Sequence, residues 1–119
     1  MKNELTLDLI KSEIWKICKD SSIKRVWVFG SYARNEADSE SDLDLLVDLE
    51  NALDIERFDS IRDVKIDLMP LESFNRKIHS DLRFNKSFVE RVLNERVLVY
   101  ERIWSFSFTN LEKYDIIDL

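Results

Sequence analysis

The chain has 119 residues, of which 45% are hydrophobic, and this composition predicts one compact domain with a buried core. Its formal net charge of -6 at pH 7 opposes binding to the backbone of a long nucleic acid, since no cluster of lysines and arginines offsets it. A single cysteine, Cys18, excludes an internal disulfide and a multi-cysteine zinc site, and the lack of a long apolar run predicts a cytoplasmic protein rather than a membrane protein.

The first elements are predicted from hydrophobic spacing. Apolar residues recur with helical periodicity between Leu7 and Cys18, which predicts an amphipathic helix over residues 6–19. The run 26–29 is rich in β-branched and aromatic residues, as is typical of a strand that is buried on both faces. A short helix is predicted over residues 32–36, directly after the only glycine of the chain.

A second strand is predicted over residues 42–49 because apolar and polar residues alternate there. One face of this strand carries Leu43, Leu45, Val47 and Leu49, and the opposite face carries Asp42, Asp44, Leu46 and Asp48. This alternation places three carboxylates on the same side of the sheet as one apolar residue. It therefore predicts that this face is partly polar and that the other face packs on the core.

Later elements complete the predicted fold. Residues 52–61 suggest a surface helix, and the third strand covers 63–69, with Asp67 on the face opposite its apolar residues. Two further helices are predicted over residues 72–77 and 81–94, followed by a short strand over 97–100. This order predicts an α/β or α+β domain with a mixed sheet of about four strands, covered on one side by helices.

The last residues form a separate predicted segment. Trp104, Phe106 and Phe108 alternate with serines, a strand-like pattern with one strongly apolar side. We interpret residues 1–101 as the domain and 102–119 as an extension. The extension packs either on the domain's own sheet or on a partner, and the sequence leaves both alternatives open.

The densest group of carboxylates precedes and enters the second strand. Asp42 and Asp44 are two residues apart, so their side chains leave the same face, and five acidic residues lie between Glu36 and Asp44 without a lysine or arginine. Such like charges repel each other unless solvent or a cation compensates them. The pattern thus indicates either a solvated acidic face or a metal site, and all-oxygen ligands favour Mg²⁺ over zinc.

Gly30 and Ser31 follow the first strand and suggest a place for an anion. A residue without a Cβ permits close approach of a ligand to the backbone, and Ser31 adds a hydroxyl and an N–H. A helix that begins just after them would direct free N–H groups to the same place. The alternative is an ordinary turn, which most Gly-Ser pairs are.

Together these residues resemble a known family. Gly30-Ser31, ten residues and then Asp42-Leu43-Asp44 resemble the GSx10DxD motif of the polymerase-beta-type nucleotidyltransferase superfamily. The wider string FGSYARNEADSESDLDLLVD is similar to the minimal nucleotidyltransferase (MNT) family, and the similarity continues through VKIDLMPLESF and FVERVLNERVLVYE. Asn35 stands where the family usually has glycine, but asparagine tolerates left-handed backbone angles.

The resemblance implies a nucleotidyltransferase fold that uses two Mg²⁺ ions and takes ATP as substrate. The residues carried over by their positions in the motif are Asp42, Asp44 and Asp67 as catalytic and metal-binding residues, and Gly30, Ser31 and Arg34 as nucleotide-binding residues. In this arrangement Arg34 would act as a counter-ion for phosphate oxygens.

The resemblance also implies a biological role. In the MNT family the usual partner is a HEPN ribonuclease toxin, which the MNT protein neutralises as an antitoxin by adding AMP to a tyrosine. The resemblance therefore implies an enzyme that transfers AMP from ATP to a tyrosine hydroxyl of a HEPN ribonuclease toxin. Two alternatives remain open. One is an antitoxin that only binds its partner and has a vestigial nucleotide site, and the other is a nucleotidyltransferase for a small molecule such as an aminoglycoside.

Overall fold

The computed structural model describes residues 5–80 and 86–102, so the predicted tail with Trp104, Phe106 and Phe108 lies outside the described residues. The helices are α1 (Leu7–Cys18), α2 (Leu71–Ser80) and α3 (Lys86–Glu95), with single 3-10 segments at Gly30–Tyr32 and Ala52–Arg57. The strands are β1 (Arg25–Phe29), β2 (Leu43–Asp48), β3 (Ser60–Ile61), β4 (Val64–Pro70) and β5 (Val97–Glu101).

The five strands form one mixed sheet in the order β3-β4-β2-β1-β5. Strands β2 and β4 run parallel, and the other neighbouring pairs are antiparallel. The predicted class of fold is therefore confirmed. Because β2 lies between β1 and β4, residues at one level of these three strands are brought side by side, and Phe29, Asp44 and Asp67 share such a level.

The sheet has one strand more than the sequence predicted. Residues 52–61, expected to form a single surface helix, divide into the 3-10 segment and β3. A two-residue turn at Arg62 and Asp63, with φ of 52° and 68°, folds β3 back onto β4. Left-handed turns of this kind usually contain asparagine or glycine, so an Arg-Asp pair gave no signal for a hairpin.

The first face of the sheet packs on α1. Thr6 caps this helix, because its hydroxyl accepts a hydrogen bond from the Leu9 N–H at 3.2 Å. Ile10, Ile14 and Cys18 of α1 are fully buried in one cluster with alternate residues of β1 and β2. The predicted helix over residues 6–19 is thus confirmed, and α1 covers this face of the sheet with its buried side chains.

The opposite face is also covered, so the expectation of helices on one side only was wrong. Phe74 of α2 and Val92 of α3 pack with Phe29 and Leu46 in a second buried cluster. Leu46 is the apolar residue on the acidic face of β2, and it gives these helices a surface to pack on. Within residues 5–80 and 86–102, none of the helices combines the length and the apolar character that a membrane span requires.

Candidate active site

The site begins at the turn that follows β1. Gly30 has a φ of +76°, a conformation that side chains other than that of glycine rarely adopt. A Cβ at this position would overlap the carboxylate of Asp44, whose Oδ2 and Cγ fill that space. The absence of a side chain at Gly30 therefore lets the carboxylate on β2 lie directly against the backbone of the turn.

The turn itself is short and hydrogen-bonded. The Arg34 N–H donates to the Gly30 carbonyl at 3.1 Å, and the Glu36 N–H donates to the Ser31 carbonyl at 2.8 Å. The predicted helix over residues 32–36 is not formed, since helical geometry covers only the 3-10 turn at Gly30–Tyr32. Asn35 adopts a φ of 62°, the left-handed conformation expected to be accessible to it, and this ends the turn.

Two carboxylates meet beside this turn. Asp44 on β2 is directly opposite Asp67 on β4 in the parallel register. Burial, and then the negative charges of Asp67 and Asp42, raise the pKa of Asp44 to about 6. Burial and the neighbouring carboxylates thus disfavour the ionised form of Asp44, and a divalent cation bound beside it would compensate its charge.

Asp42, the third predicted metal ligand, lies in a more exposed position than Asp44. Asp42 is exposed and lies just before β2, close enough to act electrostatically on Asp44. In the described part of the chain, no three His, Cys, Asp or Glu side chains are arranged to hold a metal ion by themselves. Mg²⁺ usually takes only one or two carboxylates and completes its shell with substrate phosphates and water, so the Asp44–Asp67 pair fits this ion.

A cleft of about 330 Å³ opens at these residues. This volume lies within the range of small-molecule sites, and the walls of the cleft combine apolar, cationic and acidic groups. Five of the six predicted site residues line it, and Asp42 is not among them. The lining residues are Phe29, Gly30, Ser31, Arg34, Asp44, Asp67, Met69, Phe88 and Arg91.

Arg34 is not free to act as a phosphate counter-ion in the way the sequence suggested. Its Nε donates to Glu36 at 2.9 Å, and its Nη1 donates to Glu95 at 3.0 and 3.1 Å. Glu95 also accepts a hydrogen bond from the Gly30 N–H at 2.6 Å. Two of the donors predicted to face the nucleotide are therefore engaged by one carboxylate of α3.

Sequence reasoning missed two groups of the site, and both come from α3. Arg91 brings a second guanidinium to the cleft, with its Cζ lying 5.7 Å from the ring centre of Phe88. Glu95 reaches the turn from 65 positions further along the chain. Both residues lie in the segment FVERVLNERVLVYE, which carries part of the family resemblance, but far from the Gly-Ser and Asp-Leu-Asp motif. An amphipathic helix normally carries such charges on its solvated face, so nothing distinguished these two as site residues.

Chemically, the cleft can hold a cation and an anion side by side. Asp44 and Asp67 supply negative charge at one wall, while Ser31 and the guanidinium groups of Arg34 and Arg91 supply hydrogen-bond donors at another. A metal-bound phosphate ester requires this combination, because the cation compensates both the carboxylates and the phosphate oxygens.

Comparison with known proteins agrees with this chemistry. The family model described as "Nucleotidyltransferase domain" matches residues 11–105. Over 100 residues, 78% of this chain and 97% of the other, the sequence is 32% identical to "Putative protein adenylyltransferase MJ0435" of Methanocaldococcus jannaschii.

Similar folds occur among solved structures. A toxin-antitoxin structure with AMP-PNP has a TM-score of 0.54 at 17% identity and covers 77% of this chain and 73% of that one. A complex of tri-AMPylated Shewanella oneidensis HEPN toxin with MNT antitoxin has a TM-score of 0.50 at 16% identity, covering 82% and 74%. At these identities the likeness establishes the fold. Since the family model spans most of the chain and the archaeal relative matches over nearly its whole length, the chain belongs to the nucleotidyltransferase domain family.

Proposed function

We propose that this nucleotidyltransferase is a Mg²⁺-dependent protein adenylyltransferase. It transfers AMP from ATP to a tyrosine hydroxyl of a HEPN ribonuclease toxin and so acts as the antitoxin of the pair. The observation that carries the proposal is the Asp44–Asp67 pair against the Gly30 turn, in a cleft of nucleotide-compatible size. The named activity of the archaeal relative and the toxin complexes among the structural neighbours support the choice of a protein acceptor.

The proposed roles follow from where each side chain lies. Asp42, Asp44 and Asp67 would hold the two Mg²⁺ ions. When bound, such ions lower the pKa of an acceptor hydroxyl and neutralise a leaving pyrophosphate. Ser31 donates from its hydroxyl and backbone N–H to the triphosphate, and Arg34 contributes the N–H groups that Glu36 and Glu95 do not use.

The transfer itself is a single displacement at phosphorus. The tyrosine oxygen forms a bond to the α-phosphorus, the bond from that phosphorus to the bridging oxygen breaks, and pyrophosphate leaves. Asp67, which is exposed at the mouth of the cleft, accepts the tyrosine proton. No second domain is needed to grip the acceptor, because the acceptor is carried by the toxin.

The test is transfer of labelled AMP. The protein is incubated with α-labelled ATP, Mg²⁺ and a HEPN toxin co-expressed with it, and the toxin is then examined by mass spectrometry. We expect a gain of one or more AMP groups on a tyrosine with the wild type and none with Asp42→Ala or Asp44→Ala. Asp59→Asn, which removes an exposed carboxylate away from the cleft, is the matched control and keeps transfer.

Three outcomes would contradict the proposal. Equal labelling by Asp42→Ala would show that these carboxylates do not act in the transfer. Full neutralisation of the toxin in cells by Asp44→Asn would favour an antitoxin that acts by binding alone. Modification of an aminoglycoside by the purified protein, with no labelling of any toxin, would identify a small-molecule nucleotidyltransferase instead.

A further inference from the structure

Glu95 links the last residue of α3 to the turn after β1. Its side chain is only 12% exposed. One carboxylate oxygen accepts the Gly30 N–H at 2.6 Å, and both oxygens lie within 3.1 Å of Arg34 Nη1. Residues far apart in sequence are thus joined by a single carboxylate at the edge of the cleft.

The position of Glu95 is not what helix stability alone favours. A negative charge at the carboxyl end of a helix is opposed by the helix dipole. The contacts that Glu95 makes elsewhere must therefore account for its placement. These contacts are with the turn at Gly30–Arg34 and not with residues of its own helix.

The sheet register shows what Glu95 replaces. Val28 of β1 pairs with Val97 of β5, and an uninterrupted antiparallel register would bring Gly30 opposite position 95. Strand β5 begins only at Val97, because α3 occupies the preceding residues. The carboxylate of Glu95 supplies the acceptor that a longer strand would have provided, and the buried Gly30 N–H is satisfied.

Glu95 also holds both ends of the turn at once. Gly30 is the first residue of the turn, and its N–H donates to Glu95. Arg34 is the last residue of the turn, and its side chain also donates to Glu95. Within the turn, the Arg34 N–H donates to the Gly30 carbonyl at 3.1 Å. Ser31 lies between these two points. Fixing them therefore fixes the direction in which the Ser31 donors face, and Glu36 fixes the guanidinium from its other side at 2.9 Å.

We propose that Glu95 is a positioning residue for nucleotidyl transfer. It orients the turn from Gly30 to Arg34 so that Ser31 and the Nη2 edge of Arg34 meet the triphosphate together. This role rests on the proposed function, since it requires a nucleotide in the cleft. The alternative is that Glu95 competes with the nucleotide phosphates for the donors of Gly30 and Arg34. In that case, loss of the Glu95 carboxylate would make nucleotide binding tighter.

Two substitutions of Glu95 separate the effect of where its carboxylate lies from the effect of its negative charge. Glu95→Asp keeps the charge but shortens the side chain by one methylene, and Glu95→Gln keeps an acceptor for Gly30 but offers an amide to Arg34. The measurement is the dissociation constant for AMP-PNP with Mg²⁺ by isothermal titration calorimetry, together with KM and kcat for transfer. Glu90→Gln on the exposed surface of α3 is the matched control and leaves binding unchanged.

We expect both Glu95 variants to bind AMP-PNP about tenfold more weakly, the loss that a misplaced charge-assisted hydrogen bond produces. KM for ATP rises more than kcat falls. In an Arg34→Ala background, Glu95→Gln has less than about a twofold further effect, because it acts through that guanidinium. Thermal denaturation of each variant reports separately on any loss of folded protein.

The outcomes distinguish the two proposals. Unchanged or tighter binding by both Glu95 variants, with a wild type that binds normally, overturns the positioning role and leaves the proposed function standing. Additive effects of Arg34→Ala and Glu95→Gln overturn it as well. A wild type that binds no AMP-PNP overturns the proposed function, and the role of Glu95 falls with it.

Discussion

Gly30 and Asp44 illustrate how tightly single residues of this site depend on each other. In Gly30→Ala the new methyl group would overlap the Asp44 carboxylate, and the residue would also keep an unfavourable φ of +76°. We expect a loss of about 2 to 4 kcal/mol in the free energy of unfolding, from backbone strain plus overpacking. Urea denaturation measures this loss.

A double-mutant cycle separates the two causes. Asp44→Ala removes the Cγ and oxygens that lie in the way and leaves only the Cβ, at 3.4 Å from the added methyl position. The Gly30→Ala penalty should therefore fall to about 1 kcal/mol in the Asp44→Ala background, which is the strain of the backbone alone. A penalty that is the same in both backgrounds would show that overlap with Asp44 does not matter.

Asp44 itself is expected to lower the stability of the metal-free protein. It is half-buried and faces Asp67 across the parallel register, so its negative charge is poorly compensated. Asp44→Asn should raise the free energy of unfolding by about 1 kcal/mol in the presence of a chelator, while it abolishes transfer. The measurement is thermal denaturation with and without Mg²⁺.

Mg²⁺ provides the control for this prediction. The ion should raise the melting temperature of the wild type and have little effect on Asp44→Asn, because the ligand is lost. A variant that is less stable than the wild type in chelator would contradict the idea that repulsion dominates at this position.

The placement of Asp44 and Asp67 in the sheet could be predicted from the sequence, but the contacts of the motif residues with distant parts of the chain could not. Asp44 and Asp67 were placed correctly because alternation along a strand determines which face a side chain leaves. Glu95 was not recognised, since its contact with Gly30 depends on where α3 ends relative to β1. Such a contact follows from packing between distant elements, which a local pattern does not contain.

Among the elements, the β3–β4 hairpin offers a simple stability test. Asp63 has a φ of 68° in its two-residue turn, a conformation that glycine adopts without strain. Asp63→Gly should therefore raise the free energy of unfolding by about 0.5 to 1 kcal/mol. Asp59→Gly is the matched control, because Asp59 is an exposed residue without a positive φ and the same exchange there stabilises nothing.

Urea denaturation of the two variants measures this difference. Equal effects of the exchanges at Asp59 and Asp63 would show that backbone strain in the turn is negligible. The hairpin also explains why the sequence predicted one strand too few. A strand of two residues has no detectable alternation, and its position depends on the sharp turn at Arg62 and Asp63.

At the level of the whole molecule, Cys18 reports on global unfolding. It is fully buried in the main core cluster between α1 and the sheet. Burial raises the pKa of its thiol from the ordinary value of 9.0 to about 12. Only the thiolate reacts with thiol reagents, so labelling of the native protein should require opening of the core.

The pH dependence follows from the sign of that shift. The folded-state pKa lies above the unfolded value, so the stability that the thiol contributes is complete below 9.0 and is lost as the pH rises toward 12. Cys18→Ala should remove this part of the alkaline decrease in stability. Rapid native-state labelling by a disulfide reagent at mildly alkaline pH, without denaturant, would contradict the prediction.

The shared space of Gly30 and Asp44 also has an evolutionary consequence. A larger residue at position 30 destabilises the fold less when the carboxylate at position 44 is absent, so the two positions should change together among descendants of this chain. A lineage that still binds its partner but has lost nucleotidyl transfer would then show substitutions at both position 30 and position 44. Joint loss of the glycine and the aspartate would distinguish a protein that has lost its enzymatic activity from an active enzyme whose sequence has diverged elsewhere.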